Sequence, residues 1–253
     1  MSTPEMALVW QQMRRSLAIA HKNIRIYYSK GPVIVFGVLF PVFLFLSFTI
    51  GRRMSIDFMI PGLLGMILFF TATSVSPIVV PWEAQARTLE RLMSCPVRLE
   101  MIILGDILAS FAFGTAISLV PIIIGIALGV TISSPVIFAL AVILAALCFA
   151  SLGSVFSIPP TNLPATVNMI ASVVKFPLVF ISGIFIALSE LPAWGQAIAY
   201  ISPLTYFTDI ARSCIQGEGY LPLAVDFSVL IAFTALFLLV AMKLHQRTMP
   251  RRI

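Results

Sequence analysis

The chain has 253 residues, of which 60% are hydrophobic and only 10% are charged. Soluble domains carry about 25% charged residues, so this composition, with a mean hydropathy of +1.05, excludes an ordinary soluble protein and predicts an all-α integral membrane protein. The net charge of +6 does not indicate nucleic-acid binding, because the basic residues flank apolar stretches instead of gathering on one polar segment.

The first predicted element is an amphipathic helix over residues 6–28. Apolar residues recur every three or four positions, as at Trp10, Met13 and Leu17, with basic and amide residues between them. This pattern favours a helix lying in the plane of the membrane interface, and a solvated helix is the alternative.

The chain is predicted to be one membrane domain, residues 1–253, made of an interfacial part (1–31), a helical bundle (32–244) and a cytoplasmic tail (245–253).

Six apolar segments follow, each close to the length of about 20 residues that a membrane-spanning helix needs. Prolines within them are tolerated where neighbouring helices satisfy the freed backbone groups. The third segment is long enough to tilt or to extend beyond the hydrocarbon. The predicted spans are residues 32–50, 58–80, 101–130, 135–158, 165–188 and 225–244.

The distribution of lysine and arginine predicts the orientation of these spans. With the N-terminus inside, twelve of the 16 Lys and Arg residues fall on the inner side, three (Arg52, Arg53 and Arg212) on the outer side, and one, Lys175, within a span. Positive residues concentrate in cytoplasmic loops. Both termini are therefore predicted to be cytoplasmic.

A short charged island, residues 82–96, separates the second and third predicted spans. Glu83 and Arg87 stand in the favourable order for an ion pair along a helix. The spacing predicts a cytoplasmic amphipathic helix that binds a partner in the aqueous phase. The alternative is a solvated helix in a loop, whose charges only keep it out of the bilayer. Four charged residues of the island stand at positions i, i+4, i+7 and i+8, namely Glu83, Arg87, Glu90 and Arg91. Two leucines, Leu89 and Leu92, share a second face.

Residues 189–224, between the fifth and sixth spans, are too polar and too rich in proline to cross a membrane. Leu191, Trp194, Ile198 and Ile201 nevertheless share one apolar face. We expect one or two short helices that form an outer re-entrant segment, where protein or a cavity shields the irregular backbone.

Motifs for enzyme chemistry are missing from the sequence. The two histidines, His21 and His245, have no carboxylate or cysteine nearby in sequence that would complete a catalytic set or a metal site. No lysine stands in the phosphate-binding pattern G-x-x-x-x-G-K-[ST]. The sequence therefore predicts no enzyme activity, metal or cofactor on this chain, and any active transport must draw energy from an ion gradient or another protein.

Lys175 falls about halfway through the fifth predicted span. Ionisable side chains at that depth often mark a transport path. Lys175 is predicted either to line such a path and attract an anionic group, or to be held by carbonyl groups of a neighbouring helix.

Two regions resemble the permeases of type-2 ABC exporters, the membrane subunits of drug, polysaccharide and lipid exporters. The island from Glu83 to Leu92, followed by Pro96-Val97, is similar to that family's acidic-x-Thr-Leu-Glu-x-Leu segment ending in Pro-Val. Arg87 departs from the pattern, since many members have a small residue there, often glycine. The second region follows the order and spacing of the family's C-terminal signature: Ser182-Gly183-Ile184-Phe185, Leu191-Pro192-Ala193-Trp194, Ser202-Pro203-Leu204-Thr205-Tyr206 and Asp209-Ile210-Ala211-Arg212.

The resemblance implies that the island is a coupling helix, which docks into a groove on a cytoplasmic ABC ATPase through the six residues named above. It also implies two ATPase subunits that carry ATP and Mg²⁺, a second copy of the permease, and surrounding membrane lipids. Ordinary helix packing is the alternative reading of the proline, serine and glycine in the fifth span. The residues that would line or close the path are Lys175, Pro177, Ser182, Gly183, Trp194 and Tyr206.

The resemblance thus implies that the chain is the membrane subunit of an ATP-driven exporter in the plasma membrane of a prokaryotic cell, and that it works by alternating access at a permease dimer interface. An apolar path with few charges favours an amphipathic drug-like, lipid or lipid-linked substrate. An ion-coupled carrier or channel without an ATPase is the alternative.

Overall fold

The computed structural model describes residues 3–28, 30–50, 55–217 and 219–249. Helices with short connections make up this part of the chain, which contains no strand, so the all-α prediction is confirmed. The α-helices are α1 (Thr3–Asn23), α2 (Gly31–Ile34), α3 (Phe40–Thr49), α4 (Ile56–Ser74), α5 (Ser76–Gln85), α6 (Thr88–Met93), α7 (Leu99–Ala127), α8 (Pro135–Phe156), α9 (Pro164–Ile181), α10 (Ala193–Ala199), α11 (Pro203–Gln216) and α12 (Leu223–Thr248).

Five helical stretches of the described ranges are long and apolar enough to cross a membrane. α4 and α5 together form the first, Ile56–Gln85, and α7, α8, α9 and α12 are the others. The segment predicted as another span, residues 32–50, consists of α2, a π-helical stretch (Val35–Leu39) and α3. Its longest apolar helical stretch is Gly37–Ser47. The π-helical turns interrupt the regular α-helical hydrogen bonding, so this segment is not one α-helix of spanning length.

A proline divides the second predicted span, residues 58–80, into two helices. α4 ends at Ser74 and α5 begins at Ser76, with Val75 between them at φ −102°. Pro77 lies in the first turn of α5. Proline has no N–H to donate to the preceding turn, so Pro77 suits the start of α5, where that donor is not needed.

α4 lies at the centre of the bundle. It packs against α7, α8 and α11, and Leu64, Leu68 and Phe69 on it are fully buried. Gly65 allows α11 to approach closely, because a Cβ there would lie 3.2 Å from the Thr208 hydroxyl. At the edge of the bundle, only 22% of the apolar window of α9 and 17% of that of α12 is buried. These two helices leave apolar surface for lipid or for another chain.

α1 packs along α7 at a point where α7 has a glycine. A Cβ at Gly105 would lie only 2.8 Å from the Ser16 carbonyl oxygen, so any larger side chain would push the two helices apart. The opposite face of α1 exposes Trp10, Met13 and Leu17. An exposed apolar stripe suits a membrane interface, and the interfacial position of α1 stays a prediction.

A turn (Leu188–Glu190) and two short helices, α10 and α11, connect α9 to α12. α11 is buried along most of its length, between α4, α8 and α12. In contrast, Trp194 on α10 is 71% exposed. The depth of this connection in the membrane stays a prediction.

Part of the predicted charge pattern lies outside the described residues. This holds for Arg52 and Arg53 on the predicted outer side, and for Arg251 and Arg252 in the predicted tail. The orientation of the chain in the membrane therefore stays a prediction from the sequence.

Candidate functional site

The charged island between α5 and α7 is not a single helix. α5 ends at Gln85, Arg87 adopts a left-handed backbone conformation (φ 54°), and α6 begins at Thr88. A left-handed residue is a common way to end an α-helix, and the Thr88 hydroxyl donates to the Glu83 carbonyl oxygen of the last turn (3.2 Å). The prediction of one helix over residues 82–96 is therefore wrong.

Glu83 faces α1 and is only 3% exposed. Its carboxylate forms an ion pair with Lys22 and accepts a hydrogen bond from the Tyr27 hydroxyl (3.1 Å). Burial, together with the nearby Glu83 carboxylate, raises the pKa of Tyr27. The favourable spacing of Glu83 and Arg87 does not produce an ion pair within the described ranges, because Arg87 lies beyond the end of α5 and Glu83 pairs with Lys22.

α6 has a buried apolar face and an exposed charged face. Leu89 is 2% exposed and packs in an apolar cluster with residues of α5, α7 and α12, against which Leu92 also packs. Arg87, Glu90 and Arg91 are exposed. The leucines thus hold α6 on the bundle, while the charged side chains point away from it.

We expect Leu89→Ala to lower the free energy of unfolding by about 2–5 kcal/mol, because it leaves a cavity in a packed cluster. Leu92→Ala should cost less, since that side chain is only partly buried. Thermal unfolding of the purified permease in detergent measures both. Equal losses for the two variants would contradict the packing described here.

Both ends of the island are attached to α1. At its start lies the ion pair of Glu83. At its end, the Arg15 guanidinium donates to the Pro96 carbonyl oxygen, and the Gln12 side-chain oxygen accepts from the Arg98 backbone N–H (3.3 Å). α1 therefore fixes the segment between α5 and α7 at two points.

A lateral cavity of about 290 Å³ lies between the α2–α3 segment, the α4–α5 helix and α9. An apolar wall with a polar stripe suits an amphipathic molecule, because the stripe can orient its polar end. The polar stripe is on α9: Asn168, Ser172 and Lys175. The aromatic part of the wall consists of Phe40, Phe70, Trp82 and Phe176.

Lys175 both lines this cavity and is held by a neighbouring helix. The residue is 4% exposed, and its Nζ donates to the Thr73 carbonyl oxygen on α4 (3.3 Å). An ammonium group has three donors, so this bond leaves capacity for a ligand in the cavity. The two alternatives raised by the sequence are thus compatible, and contact with a substrate stays a prediction.

Ser182 and Gly183 follow the last turn of α9, and the Gly183 carbonyl contacts α11. The Ser182 hydroxyl donates to a carbonyl oxygen of the last turn (2.7 Å), and Gly183 has a φ of 77°, which residues with a Cβ rarely adopt. The Arg212 guanidinium on α11 donates to the carbonyl oxygens of Gly183 (2.7 Å) and Ile184 (3.3 Å) and lies over the Phe58 ring. From the sequence, Arg212 was only a charge on the outer side and a residue of the second motif. The structure shows it buried, where it joins α11 to the segment after α9 and to Phe58 on α4.

The remaining predicted path residues lie apart from the lateral cavity. Pro177 and Trp194 are exposed, and Tyr206 is buried with its hydroxyl donating to the Tyr200 carbonyl oxygen (2.9 Å). None of these three is among the described residues that line the cavity. Their part in a path stays a prediction.

A buried polar cluster beside the island was not predicted. The Asp106 carboxylate on α7 accepts from the Ser76 hydroxyl (2.6 Å) at the start of α5 and from the Asn23 amide (3.5 Å) at the end of α1. Three helices therefore meet at one carboxylate. In the described ranges, no group of three or more His, Cys, Asp or Glu side chains is placed to hold a metal ion.

The comparisons with known proteins agree with the features described above. The family model described as ABC-2 type transporter matches residues 8–215. The inner membrane transport permease YadH of Escherichia coli (strain K12) is 26% identical over 238 residues, which cover 90% of this chain and 91% of YadH. The probable multidrug ABC transporter permease YbhR of the same strain is 25% identical over 173 residues, 65% of this chain and 45% of YbhR. The daunorubicin resistance ABC transporter permease protein DrrB1 of Streptomyces coeruleorubidus is 29% identical over 99 residues, 39% of this chain and 33% of DrrB1.

Proposed function

Since the chain belongs to the ABC-2 type transporter family, we propose that it is the permease subunit of an ATP-driven exporter in a prokaryotic plasma membrane. Six spans cross the membrane: the α2–α3 segment and the five long apolar stretches. Both termini and the island are cytoplasmic, as the count of Lys and Arg residues favours.

The charged face of α6 is the observation that carries this proposal. Glu90 and Arg91 are exposed, while Leu89 behind them is buried and α1 is attached to both ends of the island. A short helix whose buried face packs rigidly on the bundle can transmit force from a partner that binds its exposed face. The partner is a cytoplasmic ABC ATPase, with two copies in the complex, and these subunits bind ATP and Mg²⁺.

The permease works as a dimer of two copies. α9 and α12 leave most of their apolar windows uncovered within one copy, and α9 also carries the polar stripe of the lateral cavity. A second copy packed against α9 would enclose this cavity. Alternating access at that interface would then open it to one side of the membrane at a time.

The lateral cavity supports an amphipathic substrate, which is drug-like, a lipid or lipid-linked. Aromatic side chains such as Phe40 and Phe176 would take its apolar part, and Lys175 with Ser172 would take a polar group. The names of two relatives refer to multidrug transport and to daunorubicin resistance, which agrees with an amphipathic substrate.

Copurification with an ABC ATPase subunit, and transport in vesicles that contain both chains, test this function. We expect transport to stop when the ATP site of the ATPase is inactivated. Transport that continues without ATP hydrolysis and stops when ion gradients are dissipated would instead establish an ion-coupled carrier.

We expect Lys175→Met to lower transport of a substrate with an anionic group by about tenfold or more, because a charge-assisted hydrogen bond contributes about 1.5–3 kcal/mol. Lys175→Arg keeps the charge and should retain part of the activity. Lys243→Met, at an exposed position of α12, is the matched control. Transport rates in vesicles that stay unchanged in Lys175→Met would remove this residue from the path.

A further inference from the structure

The α4–α5 junction, residues 73–77, interrupts a stretch that otherwise continues as one helix. Val75 keeps a right-handed helical backbone (φ −102°, ψ −44°), and the 30 residues of Ile56–Gln85 form one apolar stretch. In such a helix each N–H donates to the carbonyl oxygen four residues earlier. The N–H that would pair with the Thr73 carbonyl oxygen belongs to residue 77, and Pro77 has none. The missing donor costs α5 nothing, but it leaves a carbonyl of the fully buried Thr73 to be paired from elsewhere.

Lys175 on α9 supplies that donor. Its Nζ lies 3.3 Å from the Thr73 carbonyl oxygen, and the two residues are 102 positions apart in the sequence. Lys175 is 4% exposed, so water contributes little to this pairing. A hydrogen bond from a charged group contributes more to stability than one between neutral groups. The ammonium of α9 thus occupies the place that a backbone N–H would have in an unbroken helix.

The junction is also held from two other sides, by contacts that lie away from the lateral cavity. On α8, a Cβ at Gly153 would lie 3.1 Å from the Ala72 carbonyl oxygen, so this helix packs closely on the last turn of α4. On α7, the Asp106 carboxylate accepts from the Ser76 hydroxyl (2.6 Å). Of these three contacts, only that of Lys175 comes from a residue that lines the cavity.

We propose that Lys175 takes the place of the N–H group that Pro77 lacks, and that an anionic group in the lateral cavity draws this ammonium away and loosens the junction. A carboxylate or phosphate attracts an ammonium more strongly than a neutral carbonyl does, because the attraction of two full charges adds to the hydrogen bond. An anionic ligand therefore competes with Thr73 for Lys175.

The junction lies at the start of the helix that leads to the island. α5 runs from Ser76 to Gln85, immediately before Arg87 and α6. Occupancy of the cavity therefore changes how firmly α5 presents α6. The link between cavity and junction rests on the proposed function, which makes the cavity the substrate site. The role of Lys175 at the junction does not, because it can be measured on the permease alone.

The first test is hydrogen–deuterium exchange of the full-length permease in phosphatidylcholine nanodiscs, without an ATPase. The N–H groups of Ile78 and Val79 donate to the Val75 carbonyl oxygen (2.9 and 3.2 Å), so their exchange reports opening of the junction. We expect Lys175→Met to speed this exchange by about tenfold or more, because it removes a charged donor. In a Pro77→Ala background the same change should speed exchange by less than about twofold, because alanine supplies the missing N–H.

Pro61→Ala is the matched control, since Pro61 lies in the first half of α4, away from Thr73. In this background Lys175→Met should speed exchange as much as it does in the unaltered chain. Equal acceleration in the Pro77→Ala and Pro61→Ala backgrounds overturns the role of Lys175 at the junction.

The second test needs no proline variant and uses two amphiphiles with the same chain. Dodecyl phosphate has an anionic head and dodecyl maltoside a neutral one, and both are added at equal concentrations too low to dissolve the nanodisc. We expect dodecyl phosphate to speed the exchange of Ile78 and Val79 by roughly three- to tenfold. Dodecyl maltoside should leave the exchange unchanged, and Lys175→Met should remove the difference between the two amphiphiles.

The outcomes separate the junction from the exporter function. Equal exchange with the two amphiphiles in the unaltered permease overturns the link between cavity and junction. A difference that persists in Lys175→Met also overturns it, because the anionic group then acts elsewhere. If exchange responds as expected but no ABC ATPase copurifies with the permease, the proposed function fails and the link between cavity and junction stands.

Discussion

Exchanging two charges on α6, by Glu90→Arg together with Arg91→Glu, should separate the permease from its ATPase subunits and stop transport. Both side chains are exposed, whereas Leu89 behind them is buried, so the exchange reverses the charge pattern of the proposed docking face and spares the core. Like charges placed across an interface cost several kcal/mol. We therefore expect affinity for the ATPase to fall by about a hundredfold, as measured by copurification.

The exchange leaves the net charge of the chain unchanged, so a general charge effect cannot explain a loss. Lys243→Glu reverses an exposed charge on α12 and should copurify with the ATPase like the unaltered permease. If the exchanged permease still copurifies and transports at normal rates, α6 is not the docking helix.

Replacing Arg212 by methionine should be the most destabilising single change on the predicted outer side. Arg212 is 6% exposed, donates to the carbonyl oxygens of Gly183 and Ile184, and lies with its guanidinium 4.2 Å from the centre of the Phe58 ring. Arg212→Met loses hydrogen bonds from a charged group, each of which contributes about 1.5–3 kcal/mol. We expect the free energy of unfolding to fall by about 3 kcal/mol or more, a large part of the stability of a typical protein.

Size-exclusion chromatography and thermal unfolding of the purified variant measure this loss. Arg212→Lys keeps the charge but not the planar fork of donors, and its stability should lie between those of the unaltered chain and Arg212→Met. Trp194→Ala, at an exposed position of α10, should change stability little. A fully stable Arg212→Met would show that these contacts do not hold α11 in place.

The lengths of the apolar segments made most of the long helices predictable from the sequence. Pro135 begins α8 as expected, since proline suits the first turn of a helix. α12 runs to Thr248, past the predicted end at residue 244, because the polar residues after the apolar run continue the helix. The α2–α3 segment was not predictable in detail, since hydropathy does not distinguish π-helical from α-helical turns.

The periodicity of the island did not predict its backbone conformation or the partner of Glu83. Its spacing fitted one helix, but the backbone takes a left-handed turn at Arg87, a conformation that glycine adopts most easily. The small residue that many members of the resembled family have there would have indicated this turn. The partner of Glu83 could not be found from local spacing, because Lys22 lies 61 residues away.

These distant contacts also set an order of events during synthesis. Gln12 and Arg98, which join α1 to the far end of the island, are 86 residues apart. At about 5–20 residues per second, the ribosome needs roughly 4–17 s to make the intervening chain. α1, the first helix to be made, therefore reaches its partners on the island only after residue 98 has been synthesised, and its polar face stays in the aqueous interface until then.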